Sequence, residues 1–314
     1  MSTATTTVRG PRTGPRTPRN GRSTVRTAGA SRRAYPMWFY LPAAALYLIF
    51  FAIPTFASFY FSLTRWTLFE TEFIGFENYV RFFQDPQLFT GFVNTFIYGV
   101  TTSGAKVVLG LALAVLLTSQ IVARGYLRSV VFFPVLVSTI GVGVMFTALL
   151  DPFDGLLNTV LATMGIEGPK WFTDPEIALL SVAAVDVWKG VGIATLIYIA
   201  GLVAIPQEYY EAAQLDGAGP WQRFRRVTLP LAMPATGTVI ILSLIGGLRS
   251  FDLIWATTGG GPGFASDVIA SVIYKQYQAG YYGLSTAGNV VLFVVVTAIM
   301  VPITMLINRK AVEQ

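Results

Sequence analysis

The chain has 314 residues, of which 54% are hydrophobic and 12% charged, whereas soluble domains carry about 25% charged residues. This composition is typical of an integral membrane protein. Histidine and cysteine are both absent, which excludes disulfide frameworks, thiolate and imidazole metal sites, cysteine nucleophiles and histidine-dependent catalytic triads. The formal net charge of +6 is concentrated at one end of the chain.

Residues 1–36 form an arginine-rich tail that carries this basic excess. Its Thr, Pro, Gly and Ser content leaves too few apolar side chains to offset the entropy of folding, so we expect it to be disordered. A basic segment directly before an apolar span favours the cytoplasmic side of a membrane, where anionic lipid would attract it. We favour this interpretation over a nucleic-acid-binding arm. The eight arginines, with no acid among them, are Arg9, Arg12, Arg16, Arg19, Arg22, Arg26, Arg32 and Arg33.

Six apolar stretches reach the roughly 20 residues that cross the hydrocarbon core as a helix. Because the bilayer offers no water to unpaired backbone groups, spans of this length must be helical. The predicted fold is therefore an all-α integral membrane protein with six transmembrane helices, contained in residues 37–314. The spans lie near residues 38–63, 92–119, 127–150, 177–203, 232–255 and 283–308.

The basic residues indicate which way the spans face. The two alternating sets of connections hold 15 and 5 Lys or Arg residues, and the richer set marks the cytoplasmic side. That set contains the tail, the turn with Arg124 and Arg128, the segment 204–231 and the C-terminal end. Both termini are therefore predicted to be cytoplasmic, in a multi-pass protein of the plasma membrane.

Charged side chains within a span are costly and are therefore candidates for function. Asp186 and Lys189 lie three residues apart in the fourth span, so they would be neighbours on one helix face. They either pair with each other or contact a solute, and the sequence leaves both roles open. Further candidates are Lys106 in the second span and Arg249 with Asp252 at the outer end of the fifth.

The segment 204–231, between the fourth and fifth spans, predicts two short helices. Pro206 suits the first turn of one helix, Gly217 or Gly219 its left-handed end, and Pro220 the first turn of the next. A helix of about nine residues is marginal alone in water, so it requires packing against the bundle or a partner. The ion pairs expected here would join Glu208 or Glu211 to Arg223, Arg225 or Arg226.

The same segment carries a recognisable motif. Its residues are Glu211, Ala212, Ala213, Asp216, Gly217, Ala218, Phe224, Leu229, Pro230 and Pro234. Other characteristic positions are Asn94-Thr95, Arg128, Phe132-Phe133-Pro134, Gly155-Leu156-Leu157-Asn158 and Thr258-Gly259-Gly260-Gly261-Pro262. Together they resemble the permeases of binding-protein-dependent ATP-binding-cassette importers over about residues 36–310, and most of all sugar permeases of the maltose and glycerol-phosphate type. In that family the motif, called the EAA loop, forms a cytoplasmic coupling helix that docks on an ATPase subunit.

The glycine run 259–261 is not a nucleotide-binding loop, because a phosphate-binding loop needs Gly-Lys followed by Ser or Thr and no lysine here follows a glycine. We therefore expect no catalytic residue, no metal site and no cofactor site in this chain. The resemblance implies that ATP and magnesium bind a dimeric ATPase partner. It also implies a second homologous permease and an extracellular solute-binding protein as partners.

The resemblance also suggests where a solute passes, because in those sugar permeases the fourth and fifth spans hold it near the middle of the membrane. The matching positions here run over residues 186–193 and 243–247. Polar groups beside a flat apolar face suit carbohydrate recognition, but Gly246 and Gly247 replace the polar and aromatic lining expected in the fifth span. The partner permease would then hold part of the sugar. The candidates are Asp186, Trp188, Lys189, Gly190, Ser243 and Gly247.

The predicted function is therefore that of a membrane subunit in an ATP-driven carbohydrate importer, forming half of the translocation pathway. The main alternative is a secondary transporter driven by an ion gradient, with Asp186 or Lys106 as its proton-linked group. A membrane-embedded enzyme or assembly factor is disfavoured, since the chain lacks His, Cys and clustered carboxylates at a membrane surface.

Overall fold

The computed structural model describes residues 37–312, and contacts divide the chain into two units, residues 1–48 and 49–314. The predicted disorder and cytoplasmic placement of the 1–36 tail fall outside the described residues. In the first unit, a 3-10 turn at Met37–Tyr40 leads into helix α1, Leu41–Tyr47. Pro42 lies in the first turn of α1, where its missing amide hydrogen costs no helical hydrogen bond.

The second unit is mostly helical. One π-helical turn, Leu48–Ala52, begins at the last residue of the first unit, and another occupies Phe224–Thr228. The helices are α2 (Ile53–Phe61), α3 (Glu77–Gln84), α4 (Pro86–Thr118), α5 (Arg124–Leu136), α6 (Thr139–Leu149), α7 (Leu156–Thr163), α8 (Ala178–Val203), α9 (Gln207–Leu215), α10 (Pro220–Arg223), α11 (Leu229–Leu231), α12 (Met233–Leu248), α13 (Asp252–Thr257), α14 (Ile269–Gln278) and α15 (Tyr282–Val312).

Within the described residues, four helical stretches are long and apolar enough to cross a membrane without a sharp bend. Two bent pairs of helices raise the number to six if each pair is one span. The mostly helical membrane fold is confirmed, while the predicted count of six depends on those pairs. The four stretches are Trp38–Phe61, Pro86–Thr118, Ala178–Val203 and Tyr282–Ile307, and the pairs are Arg124–Leu136 with Thr139–Leu149 (99°) and Pro220–Leu231 with Met233–Leu248 (64°).

The third predicted span is not one continuous helix. Helix α5 ends at Leu136 and α6 begins at Thr139, with a bend of 99° between them. Val137 and Ser138, between the two helices, have ψ angles of 141° and 136°. Pro134 lies in the last turn of α5 and has no amide hydrogen to donate to the preceding turn, which weakens the helix where it ends.

The fifth predicted span ends earlier than expected. Helix α12 stops at Leu248, and the residues up to Trp255 belong partly to the separate helix α13. Gly246 and Gly247 precede the break, and glycine lowers helix stability because of its backbone freedom. The prediction extended across this break because it was based on hydrophobicity alone, which does not show where a helix is interrupted.

A short hairpin corrects the all-α expectation. Strands β1 (Thr64–Trp66) and β2 (Thr71–Phe73) pair antiparallel, with Thr64 opposite Phe73 and Trp66 opposite Thr71. β-Branched and aromatic residues at these positions suit a strand. The hairpin lies between α2 and α3, in a connection for which no secondary structure was predicted.

Helix α4 forms the centre of the second unit. It begins at Pro86, where the Asp85 carboxylate accepts the Gln87 amide at 2.9 Å, as an N-cap residue does. It packs along α8 and α12. Small residues allow close approach, since a Cβ at Gly110 would lie 2.8 Å from the Cβ of Ala194. This packing places the middle of α4 directly against α8.

Candidate coupling loop and solute path

Helix α9 is the exposed part of the 204–231 loop. It begins directly after Pro206, and none of its nine residues is buried within this chain. Ala212 is exposed and Ala213 half-buried, so its surface is low in relief. A helix this short has little stability of its own. Helix α9 therefore leaves most of its surface free of contacts with the described part of the chain.

Gly217 ends α9 in a left-handed turn with φ of +78°. The Ala218 amide donates to the Ala213 carbonyl at 2.9 Å, and the Gly217 amide donates to the Gln214 carbonyl at 3.0 Å. These two bonds form a Schellman motif, which favours glycine because the left-handed conformation strains other residues. The sequence left open whether Gly217 or Gly219 ends the helix. In the structure, the left-handed turn is at Gly217.

Gly219 instead precedes α10, with an ordinary φ of −68°. Its amide donates to Gln222 Oε1 at 3.0 Å, and the predicted start of the second helix at Pro220 is confirmed. The rings of Trp221 and Phe224 then stack with their centroids 5.4 Å apart. The second half of the loop is thus ordered by local contacts.

Large apolar side chains are exposed around α9. Tyr209 is 55% exposed, Leu215 90% and Trp221 69%. A contiguous exposed apolar patch is typical of an interaction surface, so these three side chains are candidates for such a surface. The motif residues Glu211, Ala212, Asp216, Gly217 and Pro230 are also exposed, whereas Ala218 and Phe224 are half-buried and Leu229 is 37% exposed.

The ion pairs predicted within this loop are absent from the described part of the chain. Glu211 instead accepts from Gln207 Nε2 at 2.9 Å, four residues away on the same helix face. The arginines lie beyond the turn at Gly217, on a different helix axis. No charged side chain of this loop forms an ion pair with a described residue; these side chains are Glu208, Glu211, Asp216, Arg223, Arg225 and Arg226.

One contact that ties α9 to the rest of the loop was not predicted. The hydroxyl groups of Tyr210 and Thr228 lie 3.2 Å apart, and Thr228 is buried. The contact joins residues 18 positions apart, so no spacing rule within a helix indicates it. It ties α9 to the π-helical turn that precedes α11.

In the membrane region, Asp186 pairs with Lys106 and not with Lys189. Lys106 Nζ lies 2.6 Å from Asp186 Oδ2, which joins α4 to α8. The two side chains are 10% and 22% exposed. Lys189 has no ion-pair partner in the described part of the chain. Of the two roles left open for Asp186 and Lys189, the pair with each other is not formed, because the packing of α4 brings another ammonium group to the carboxylate.

The neighbours of Asp186 show how this pair is accommodated. A Cβ at Gly190 would lie 2.7 Å from Lys106 Cε, so glycine leaves the room that the lysine side chain occupies. Trp188 is 40% exposed, and its ring meets Phe146 edge-on at 5.1 Å. Lys189 is half-buried. Of the four candidates on α8, Asp186 pairs with Lys106, Gly190 makes room for that lysine, and Trp188 and Lys189 are at least partly accessible.

The two candidates on α12 differ in their surroundings. Ser243 is half-buried, whereas Gly247 is buried. A Cβ at Gly247 would lie 2.8 Å from Gly99 Cα and 2.8 Å from Thr102 Oγ1. The absence of a side chain at Gly247 therefore allows close packing of α12 on α4, while the adjacent Gly246 is exposed and has open space around it.

Asn94 and Thr95, which the sequence marked without a role, hold the loop between α13 and α14. Asn94 Nδ2 donates to the carbonyls of Ala265 and Asp267, at 2.9 Å each. Thr95 Oγ1 accepts the Ile269 amide at 2.8 Å. Side chains of α4 thus satisfy the backbone of a loop more than 170 positions away, a pairing that requires the folded chain.

Asp267 in this loop is a buried carboxylate with local partners. Lys275 Nζ lies 2.7 Å from its Oδ2, and Ser271 Oγ donates to its Oδ1 at 2.7 Å. Burial raises the pKa of the Asp267 carboxyl, and the Lys275 and Ser271 contacts oppose that shift. Gly260 approaches so closely that any Cβ there would overlap the carboxylate.

Comparison with known proteins identifies the family of this chain. Residues 106–311 match the family described as "Binding-protein-dependent transport system inner membrane component". The chain belongs to this family. It is therefore a multi-pass membrane component of a binding-protein-dependent transport system, as its sequence predicted.

Several members of the family resemble it over most of their length. It is 35% identical to the trehalose/maltose transport system permease protein of Thermococcus litoralis, over 82% of this chain and 88% of that protein. It is 30% identical to the arabinooligosaccharides transport system permease protein of Bacillus subtilis, over 86% of this chain and 87% of that protein. Among solved structures, it is similar to a chain of a bacterial ABC transporter involved in the import of alginate, with a TM-score of 0.74 and 25% identity over 86% of this chain and 94% of that one.

Proposed function

We propose that this family member is a permease subunit of an ATP-driven carbohydrate importer. It would form half of a translocation pathway, with a second homologous permease as the other half. The observation that carries the proposal is α9, an exposed helix that ends at Gly217 within a motif typical of ATPase docking. The names of its relatives, which refer to trehalose/maltose, arabinooligosaccharides and alginate, support carbohydrate as the solute class.

The proposed coupling runs from a dimeric ATPase through α9 to the spans. In this arrangement the 204–231 loop and both chain termini are cytoplasmic, as the distribution of basic residues favours. The ATPase binds ATP and magnesium, and this chain is assigned no part in that site. Closure of the ATPase moves α9, and the Tyr210–Thr228 contact carries the movement towards α12. The coupling is a free-energy linkage between nucleotide state and cavity orientation, in which each biases the other.

The proposed solute path lies beside the Lys106–Asp186 pair. Lys189 and Trp188 on α8, with Ser243 on α12, offer an ammonium group, an aromatic face and a hydroxyl that suit sugar hydroxyl groups. Helix packing around Gly247 brings α12 onto α4 near this level. A solute-binding protein outside the membrane would deliver the sugar, and the second permease would complete the lining.

The experiment that tests the proposal is transport by the complete complex in proteoliposomes. The complex contains this chain, its partner permease and the ATPase, with the solute-binding protein added outside. We expect sugar uptake that requires internal ATP and the binding protein and that survives an uncoupler. Glu211→Lys and Gly217→Pro should abolish uptake while both variants still insert in the membrane.

The alternative of a secondary transporter predicts the opposite pattern. Uptake by this chain alone, collapsed by the uncoupler and indifferent to ATP, would overturn the proposal. Normal ATP-driven uptake in both Glu211→Lys and Gly217→Pro would remove α9 from the coupling route even if the complex transports sugar.

A further inference from the structure

A cavity of about 600 Å³ lies between the loop and the ends of α4 and α8. Its size is within the range of small-ligand sites. Its apolar side includes Val115, Leu202 and Val203, and its polar side includes Thr118, Tyr210 and Arg223. It is thus enclosed partly by the membrane-spanning helices and partly by the segment that we assign to ATPase coupling.

Among the residues that the structure describes, Arg223 is the one charged residue that lines this cavity. Its side chain makes no hydrogen bond or ion pair with any described residue, and its Nε atom is buried without a partner. An unpaired guanidinium nitrogen away from water is costly, and the lining offers no carboxylate to neutralise it. The charge of the cavity therefore favours an anion.

The hydroxyl groups of the lining point to the same kind of ligand. Thr118 already donates to the Ala114 carbonyl at 2.8 Å and Ser119 to the Leu116 carbonyl at 2.5 Å. In the Tyr210–Thr228 contact of 3.2 Å one hydroxyl donates and the other accepts, so one hydroxyl hydrogen of this pair stays available. The free side-chain donors of the lining thus include this hydrogen, the second amide hydrogen of Gln207 Nε2 and the Arg223 guanidinium, and together they favour a ligand rich in acceptor oxygens.

We propose that this cavity binds a phosphate-bearing anion through Arg223. Guanidinium groups match the geometry of phosphate oxygens, and the cavity joins polar donors to an apolar wall as a phospholipid headgroup and its first methylene groups require. The placement of this cavity beside anionic lipid rests on the proposed orientation of the chain in the membrane. In that orientation these ends of α4 and α8 lie at the cytoplasmic surface, where anionic lipids are found. Free cytoplasmic phosphate shares this chemistry and is distinguished by experiment.

The test uses the complete transporter in nanodiscs of phosphatidylcholine with or without phosphatidylglycerol. Native mass spectrometry measures the phosphatidylglycerol that each complex retains, and inorganic phosphate is added in a separate arm that follows thermal stability. Arg223→Gln removes the charge inside the cavity. Arg225→Gln is the matched control. It also removes one positive charge, but from an exposed side chain two residues further along the chain and outside the cavity.

We expect Arg223→Gln to weaken retention of phosphatidylglycerol about tenfold or more, the cost of a lost charge-assisted hydrogen bond, and Arg225→Gln to leave it unchanged. Stabilisation by inorganic phosphate that Arg223→Gln alone abolishes would support the site with free phosphate as its ligand. Equal behaviour of both variants in both arms would overturn the proposal. Lipid retention does not require transport, so its outcome is independent of whether the carbohydrate assignment holds.

Discussion

Lys106 and Asp186 form an ion pair of 2.6 Å between α4 and α8, in spans that the sequence shows as almost wholly apolar. Both side chains are largely buried, so each is the principal neutralising group for the other. Removing one partner of a buried pair leaves an uncompensated charge, whereas replacing both with apolar groups is often tolerated. This asymmetry makes it possible to separate a structural role from a role in solute binding.

The first prediction concerns this pair. Lys106→Met or Asp186→Asn should each destabilise the complex by about 3–5 kcal/mol, and the double variant Lys106→Met/Asp186→Leu should recover most of that loss. The thermal midpoint of the detergent-solubilised complex measures the effect, and sugar uptake is measured in parallel. Recovered stability without recovered uptake would assign the pair to the solute path. A double variant as unstable as the single ones would contradict a pairwise role.

The second prediction uses two glycines of the same loop. Gly217→Ala should cost about 1 kcal/mol of loop stability because alanine disfavours the left-handed φ of +78°, and ATP hydrolysis should become less dependent on the binding protein. Gly219→Ala, at φ of −68°, is the control and should change little. Binding-protein-stimulated ATPase activity of the reconstituted complex is the measurement. Equal effects of the two substitutions would show that the turn geometry does not matter.

The third prediction compares adjacent glycines on α12. Gly247→Ala should destabilise the complex by about 1–3 kcal/mol, as overpacking does, because its Cβ would lie 2.8 Å from the backbone of Gly99. Gly246→Ala meets open space and should be neutral or slightly stabilising, since alanine favours helix. Thermal midpoints of both variants test the contact. A larger loss in Gly246→Ala would mean that α12 is rotated relative to this arrangement.

The fourth prediction is a pH dependence around Asp267. Burial raises the pKa of this carboxyl, so the folded state takes up a proton more readily than the unfolded chain. Lys275→Met removes the ammonium that opposes the shift, which should raise the pKa of Asp267 further. The variant should therefore gain stability as the pH falls from neutral towards the unfolded pKa of the carboxyl, and this gain should disappear when Asp267→Asn is added. Thermal midpoints of the wild type, Lys275→Met and the double variant, measured across that pH range, test this prediction.

The sequence predicted the helical membrane fold because an apolar run of about 20 residues has few other solutions in a bilayer. It also predicted that one helix starts near Pro206 and the next at Pro220, since proline and glycine act locally through their own backbone restrictions; Pro206 itself lies just before α9 and not in its first turn. It did not locate the break at Val137-Ser138, because a proline inside an apolar run does not specify whether a helix bends or ends.

Contacts between distant parts of the chain could not be predicted from the sequence, for a different reason. Asp186 has a charged neighbour three residues away in Lys189, but its partner is Lys106, 80 positions earlier. Only the packing of α4 against α8 decides between them. Tertiary structure likewise determines the Tyr210–Thr228 contact and the hydrogen bond from Asn94 to the Ala265 carbonyl. No periodic pattern in the sequence indicates either contact.

The most direct test of the central claim is a cysteine cross-link between α9 and the ATPase, which is simple to interpret because the chain has no cysteine of its own. Ala212→Cys, on the exposed helix, is paired with single cysteines along the groove of the ATPase partner. Phe153→Cys, 84% exposed in the connection after α6, is the control on the side of the membrane that we predict to be extracellular. We expect Ala212→Cys to cross-link to the ATPase with a yield that changes when ATP binds, and Phe153→Cys to give none. Absence of any Ala212→Cys cross-link in a complex that still hydrolyses ATP would contradict the account.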